Sequence, residues 1–145
     1  MPADGSTDVE FPVTPSNPGS ARGPAVVLEE PVSFWGGVDP ETGTIVDRHH
    51  PQFGVSVSGA VLCMPSGRGS SSGSSVLVEM VRLGTAPVGI VLGGPDEVVA
   101  LGSIVADELY GQMIPVVIGD PTLFTEVATG DVVHIDNSTL RVTVE

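Results

Sequence analysis

The chain alternates between apolar runs and polar, glycine-rich breaks, and the period of each run predicts an element. "VSVSGAVLCM" (55–64) alternates and then turns wholly apolar, as a strand does on entering a core. "SVLVEMVRL" (75–83) sets Leu77, Met80 and Val81 at helical spacing and stops at Gly84, a residue suited to end a helix. "APVGIVLGG" (86–94) is a short buried strand. "PDEVVALGSIVADELYG" (95–111) opens on Pro95 and Asp96 and closes on Gly111, so it predicts a second helix. "MIPVVIG" (113–119) is another buried strand, and "DVVHIDNSTLRVTV" (131–144) is a hairpin around an Asp-Asn-Ser turn.

Upstream the pattern weakens. Residues 1–22 are rich in Pro, Ser, Gly and Asp without a period, which predicts a disordered tail. "PAVVLEEPVSFW" (24–35) gives one or two extended pieces broken by Pro31, and "GGVDPETGTIVDRHHPQFG" (36–54) is a long loop rich in turn signals. The strand–helix–strand–helix–strand order predicts a short parallel sheet with right-handed crossovers. The N-terminal extended pieces and the C-terminal hairpin then supply a second β layer. The expected fold is therefore a compact α/β domain of β/β/α type over residues 23–145, with helices on one side of the parallel sheet.

Length and composition narrow the function. A chain of 145 residues suggests one domain, long enough to bury a core without metal or disulfide. Its net charge is -13, and all five basic residues are arginines: Arg22, Arg48, Arg68, Arg82 and Arg141. Such a surface repels nucleic acid and anionic membranes, so neither is an expected partner. The one cysteine, Cys63, lies in an apolar strand and reads as a core residue. A single cysteine forms no intrachain disulfide and holds no iron–sulfur cluster. It fits a reducing, cytoplasmic setting. No run approaches the ~20 apolar residues needed to cross a membrane.

The candidate chemistry lies in "PSGRGSSSGSS" (65–75), between a predicted strand and its helix. A helix N-terminus offers unpaired N–H groups and a dipole that favours anions. Gly67, Gly69 and Gly73 allow close approach of the backbone, and Arg68 adds a planar fork for carboxylate or phosphate. The plainer readings are a flexible linker, or a structural turn capped by Ser74 or Ser75. The segment lacks the Gly-Lys-Ser/Thr ending of a phosphate-binding loop. Gly69-Ser70-Ser71-Ser72-Gly73 matches a hydrolase elbow only literally, with Ser71 at its centre. "DRHHP" (47–51) contains two adjacent histidines, which diverge in any regular element, so a solvated loop is preferred to a metal site. His134 reads as a strand histidine. Asp39, Glu41 and Asp47 read as turn residues.

Three phrases together carry a family resemblance: "GGVDPETGTIVDRHHPQFG", "VLCMPSGRGSSSGSSVL" and "APVGIVLGGPDEVVALGSIVADE". The chain resembles the small, swivelling-domain subunit of the aconitase X family over about residues 25–120. The resemblance implies a β/β/α swivelling domain and a cytoplasmic hydro-lyase. It also implies a heterodimer in which a separate large subunit carries the iron–sulfur cluster, with no cofactor in this chain. It assigns Ser70 as proton acceptor, with Arg68 beside it. Arg68, Gly69 and Ser71 are the expected substrate-binding residues, and no metal ligand is expected in this chain. Family members include dehydratases of cis-3-hydroxy-L-proline and of 5-phosphomevalonate. A phosphorylated substrate wants extra cations, so this lysine-free chain with its C-terminal hairpin is assigned to the proline-derivative branch. A non-catalytic domain holding a small anion in the same loop is the alternative from another class.

Overall fold

The computed structural model describes residues 7–65 and 72–144. Ten strands and four helices follow in the order β1 (Thr7–Pro12), β2 (Thr14–Asn17), β3 (Ser20–Val27), α1 (Phe34–Gly37), β4 (Val38–Asp39), β5 (Thr44–Ile45), β6 (Val61–Met64), α2 (Gly73–Leu83), β7 (Gly89–Leu92), α3 (Glu97–Tyr110), β8 (Val116–Ile118), α4 (Pro121–Glu126), β9 (Val132–Asp136) and β10 (Thr139–Val144). Eight strands form one sheet in the order β1-β10-β9-β3-β6-β7-β8-β2, while β4 and β5 make a separate small ribbon.

Parallel pairing of β3 with β6, β6 with β7 and β7 with β8 is the expected crossover sheet. The other pairings are antiparallel. β3 serves both parts. Ser20 to Pro24 pair with β9, and Ala25 to Val27 pair with β6. Laid flat, eight strands would span about 34 Å. Yet the two edge strands, β1 and β2, are joined through Val13 alone, a link of about 7 Å at most. The sheet therefore folds over on itself, and its two halves face each other.

The period-2 alternation of the parallel strands feeds two cores. Ala25, Val61, Cys63, Val91 and Val117 point between the β layers, against Val133, Ile135, Leu140 and Val142. Their neighbours Val26, Leu62, Met64, Ile90, Leu92 and Val116 point the other way, against Leu77, Met80 and Val81 of α2 and Val99 and Ala106 of α3. The result is the expected β/β/α stack. Strands buried on both faces read as continuous apolar runs for this reason.

The helix limits obey their local chemistry. Gly84 takes a left-handed φ of 76° and its N–H meets the Met80 and Val81 carbonyls, ending α2. Asp96 caps α3, its Oδ1 accepting from the N–H groups of Val98 (2.9 Å) and Val99 (3.1 Å), and Gly111 ends it at φ 67°. Ser103 is fully buried, and its hydroxyl donates to the Ile114 carbonyl (2.5 Å) and accepts from the Ile114 N–H (3.2 Å). That reciprocal pair ties α3 to the lead-in of β8.

Residues 7–22 correct the expected tail. They form β1, β2 and the start of β3, so the expected boundary at 22/23 falls inside a strand. Val13 packs into the interlayer core, and Asn17 is buried with its Nδ2 donating to the Ala100 carbonyl at 2.9 Å. A further element absent from the sequence reading is α4. Asp120 caps it by accepting from the Thr122 N–H (3.0 Å), and Leu123 joins the interlayer core.

Candidate functional site

The parallel strands direct their carboxyl ends to one end of the stack. There β6 ends at Met64 and Pro65, β7 runs into Gly93 and Gly94, and α2 and α3 begin. The expected site residues Arg68, Gly69, Ser70 and Ser71 lie outside the described residues, as do Ser66 and Gly67. The described residues define the frame to which that segment is joined.

Three contacts fix this frame. Gly93 lies flat on Pro65, where any Cβ would overlap the Pro65 carbonyl, and the Gly93 N–H donates to the Met64 carbonyl at 3.1 Å. Ser74 Oγ donates to the Val98 carbonyl at 2.6 Å, tying the first turns of α2 and α3 together. Gly73 is closely packed: a Cβ there would press on Val98 Cγ1 at 3.2 Å and touch Phe34 Cβ at 3.8 Å. The two helices run side by side in the same direction, so both N-termini lie at this end. Ser74 and Ser75 are not the cap residues. α2 starts at Gly73, Ser72 occupies the cap position, and the Ser75 N–H donates to the Ser72 carbonyl at 3.1 Å. The strand-to-helix placement of the Ser/Gly segment is therefore a property of the fold, not of a linker between domains.

The other candidates separate clearly. His50 is buried, and both ring nitrogens are engaged. The Gln52 N–H donates to Nδ1 (3.0 Å), which fixes the proton on Nε2, and Nε2 donates to the Glu30 carbonyl (2.8 Å). It pins the 47–54 loop to the segment after β3 and has no lone pair left for a metal. Asp47 and Asp39 are turn residues as expected, accepting from the N–H groups of His49 and Glu41 at 2.9 Å each. His134 is half-buried on β9, in register with Arg22 of β3 and Arg141 of β10. Cys63 is fully buried and burial pushes its thiol up to about 12, so it is neither nucleophile nor ligand. A cavity of about 340 Å³ lined by Ser58, Val81, Gly84, Gln112 and Met113 opens at the far end of the helices and has no acid, base or thiol in its lining.

Fold and frame together define a class: a β/β/α domain in which a serine-rich segment joins a parallel strand to its helix. The model of the aconitase X swivel domain matches residues 10–144, and the chain belongs to that family. The match begins within β1, in agreement with a domain that includes the N-terminal strands. The chain is similar to the aconitase X of Thermococcus kodakaraensis in its holo-form, with a TM-score of 0.83 and 32% identity over 94% of this chain and 99% of that one. It is 50% identical over 98 residues to the cis-3-hydroxy-L-proline dehydratase of Pseudomonas aeruginosa, covering 68% of this chain but 17% of that relative. It is 40% identical over 118 residues to the phosphomevalonate dehydratase small subunit of Methanothrix thermoacetophila, covering 81% of this chain and 82% of that one. The chain thus spans about a fifth of the length of the cis-3-hydroxy-L-proline dehydratases it matches. Among the described residues, no helix is long and apolar enough to cross a membrane.

Proposed function

We propose that this chain is the small, swivelling subunit of a cytoplasmic aconitase X-type hydro-lyase. On this reading it works with a large subunit to remove water from a small hydroxy carboxylate, foremost cis-3-hydroxy-L-proline. The observation that carries the reading is the family match over residues 10–144, in a fold that joins the Gly-Arg-Gly-Ser segment to the carboxyl end of β6 and the start of α2. The relatives named as dehydratases support the reaction type, and those named as small subunits support a larger partner.

The chemistry asks for a base. A proton next to a carboxylate is poorly acidic, so its removal needs a positioned acceptor and stabilisation of the developing charge. Ser70 is the proposed acceptor. A serine hydroxyl is a poor base unless positive potential favours its deprotonated form, which Arg68 and the start of α2 would supply. Gly69 and Ser71 complete the proposed substrate contacts. The residues of this chain do not fit an iron–sulfur cluster, because its one thiol is buried and held protonated. On this reading the cluster resides in the large subunit, and no step of this chain runs through it.

A second substrate is favoured by a separate observation. The chain spans 82% of the Methanothrix phosphomevalonate dehydratase small subunit, a relative of similar extent. Only five cations in the chain weigh against a phosphorylated substrate unless the partner binds the phosphate. The test is co-expression with the reading frame next to its own. Co-purification with water loss from cis-3-hydroxy-L-proline supports the first substrate, and water loss from 5-phosphomevalonate alone supports the second. A monomer that finds no partner and turns over neither contradicts the hydro-lyase reading.

A further inference from the structure

An open apolar groove of about 520 Å³ lies beside the start of α2. Phe34 and Val38 form its buried floor. Trp35, Val46, Pro40 and Val76 form its walls, and Asp39 sits on its rim. Trp35 is 59% exposed and Val46 44% exposed. Single exposed apolar residues are ordinary, but a contiguous apolar concavity with an exposed tryptophan marks an interaction site.

The groove is preformed. The Ser33 hydroxyl donates to the Trp35 carbonyl at 3.0 Å, and the Val46 N–H donates to the Gly37 carbonyl at 2.8 Å. Gly36 takes φ 79°, which turns the chain so that Trp35 stands out from the surface. A side chain on Gly37 would meet Val32 Cγ2 at 2.9 Å, so the turn is also closely packed from below. These contacts fix the backbone that carries Trp35, which lowers the ordering cost of burying it on a partner.

We infer that this groove is the seat of the large subunit on this chain, with Trp35 as its central anchor. The inference rests on the reading of the chain as a small subunit. Gly73, the first residue of α2, lies against both Phe34 and the Trp35 backbone, so the groove borders the helix start that follows the Ser/Gly segment. The stretch matched by this chain is only 17% of the Pseudomonas relative, so most of that relative lies outside a domain of this kind. Any partner that shares a substrate with the segment before α2 must close over the surface beside it. The rim specifies the partner's charge. Asp39 at the groove, with Glu41 and Asp47 on the same segment of a chain of net charge -13, fits an apolar projection ringed by basic residues.

The test measures the dissociation constant between the full chain and the large subunit encoded beside it. Trp35→Asp and Val46→Glu each weaken association at least about thirty-fold, as loss of a buried aromatic anchor does. Leu101→Asp, at another exposed apolar position on α3, changes it less than about threefold. Both groove positions are exposed, and thermal melting verifies that each variant folds. Should Trp35→Asp fail to fold, Trp35→Ala and Val46→Glu carry the test. Wild-type association with unchanged affinity in the folded groove variants overturns the inference and leaves the small-subunit reading intact. Self-association of the chain alone, abolished by Trp35→Asp, assigns the groove to a second copy and likewise overturns it. No association of the wild-type chain with the large subunit overturns the small-subunit reading, and the inference with it.

Discussion

Gly93 lies flat against Pro65, so that a single added methyl group would overlap the Pro65 carbonyl. The residue that ends one strand thereby fixes the stem of the loop that leaves the next. Gly93→Ala forces that backbone apart and is expected to cost about 1–3 kcal/mol. Gly94→Ala has open space around its Cβ and costs less than about 0.5 kcal/mol. Urea midpoints at equal slope check both values. In the proposed complex with a large subunit, Gly93→Ala is also expected to lower turnover more than Gly94→Ala does.

His50 is a structural pin. Removing its ring strands the Glu30 carbonyl and the Gln52 N–H, and His50→Ala is expected to destabilise the chain by about 1–3 kcal/mol. Nitrogen NMR shifts of the imidazole report the proton on Nε2. Zinc in excess leaves the melting temperature unchanged, because binding to the native state would raise it. A metal-dependent rise would return the His49–His50 pair to the list of ligands.

Burial sets the behaviour of Cys63. Its thiol is pushed up from 9.0 to about 12 by desolvation. Below pH 9 both folded and unfolded chains keep the proton, and stability is unaffected. Between pH 9 and about 12 the unfolded chain ionises first, so this contribution to stability is lost as pH rises. Between pH 8 and 10.5 the wild-type chain is expected to lose about 2 kcal/mol more than Cys63→Ala does. Urea titrations at the two pH values check the difference, and thiol reagents label Cys63 only after unfolding.

The parts of the fold legible in the sequence are those set by local chemistry. α2 and α3 announce themselves through 3.6-residue spacing and through Gly84, Asp96 and Gly111 at their ends. The strands from β6 to β8 announce themselves as apolar runs because both of their faces are covered. β1 and β2 were not legible. Val9, Phe11 and Val13 do alternate with polar residues or Pro12, but β1 pairs with β10 at the other end of the chain, and Pro, Ser and Asp dominate its flanks. α4 is a helix of six residues whose signal was only Asp120 before Pro121.

The candidate site divides in the same manner. Composition and placement marked the Ser/Gly segment, and side-chain chemistry marked Arg68 and Gly69 within it, while the role of Ser70 as proton acceptor came from family resemblance alone. The frame around it depends on pairs distant in sequence, Gly93 on Pro65 and Ser74 on Val98. No local pattern encodes those pairs.

The most direct test of the proposed function is steady-state dehydration of cis-3-hydroxy-L-proline by the complex of this chain with the proposed large subunit. Wild-type, Ser70→Ala and Ser75→Ala small subunits are compared at matched occupancy. All three are expected to assemble, with Ser75→Ala retaining wild-type turnover and Ser70→Ala losing at least about a hundredfold in kcat, as removal of a general base does. Normal turnover by the assembled Ser70→Ala complex would contradict the proposed role of Ser70.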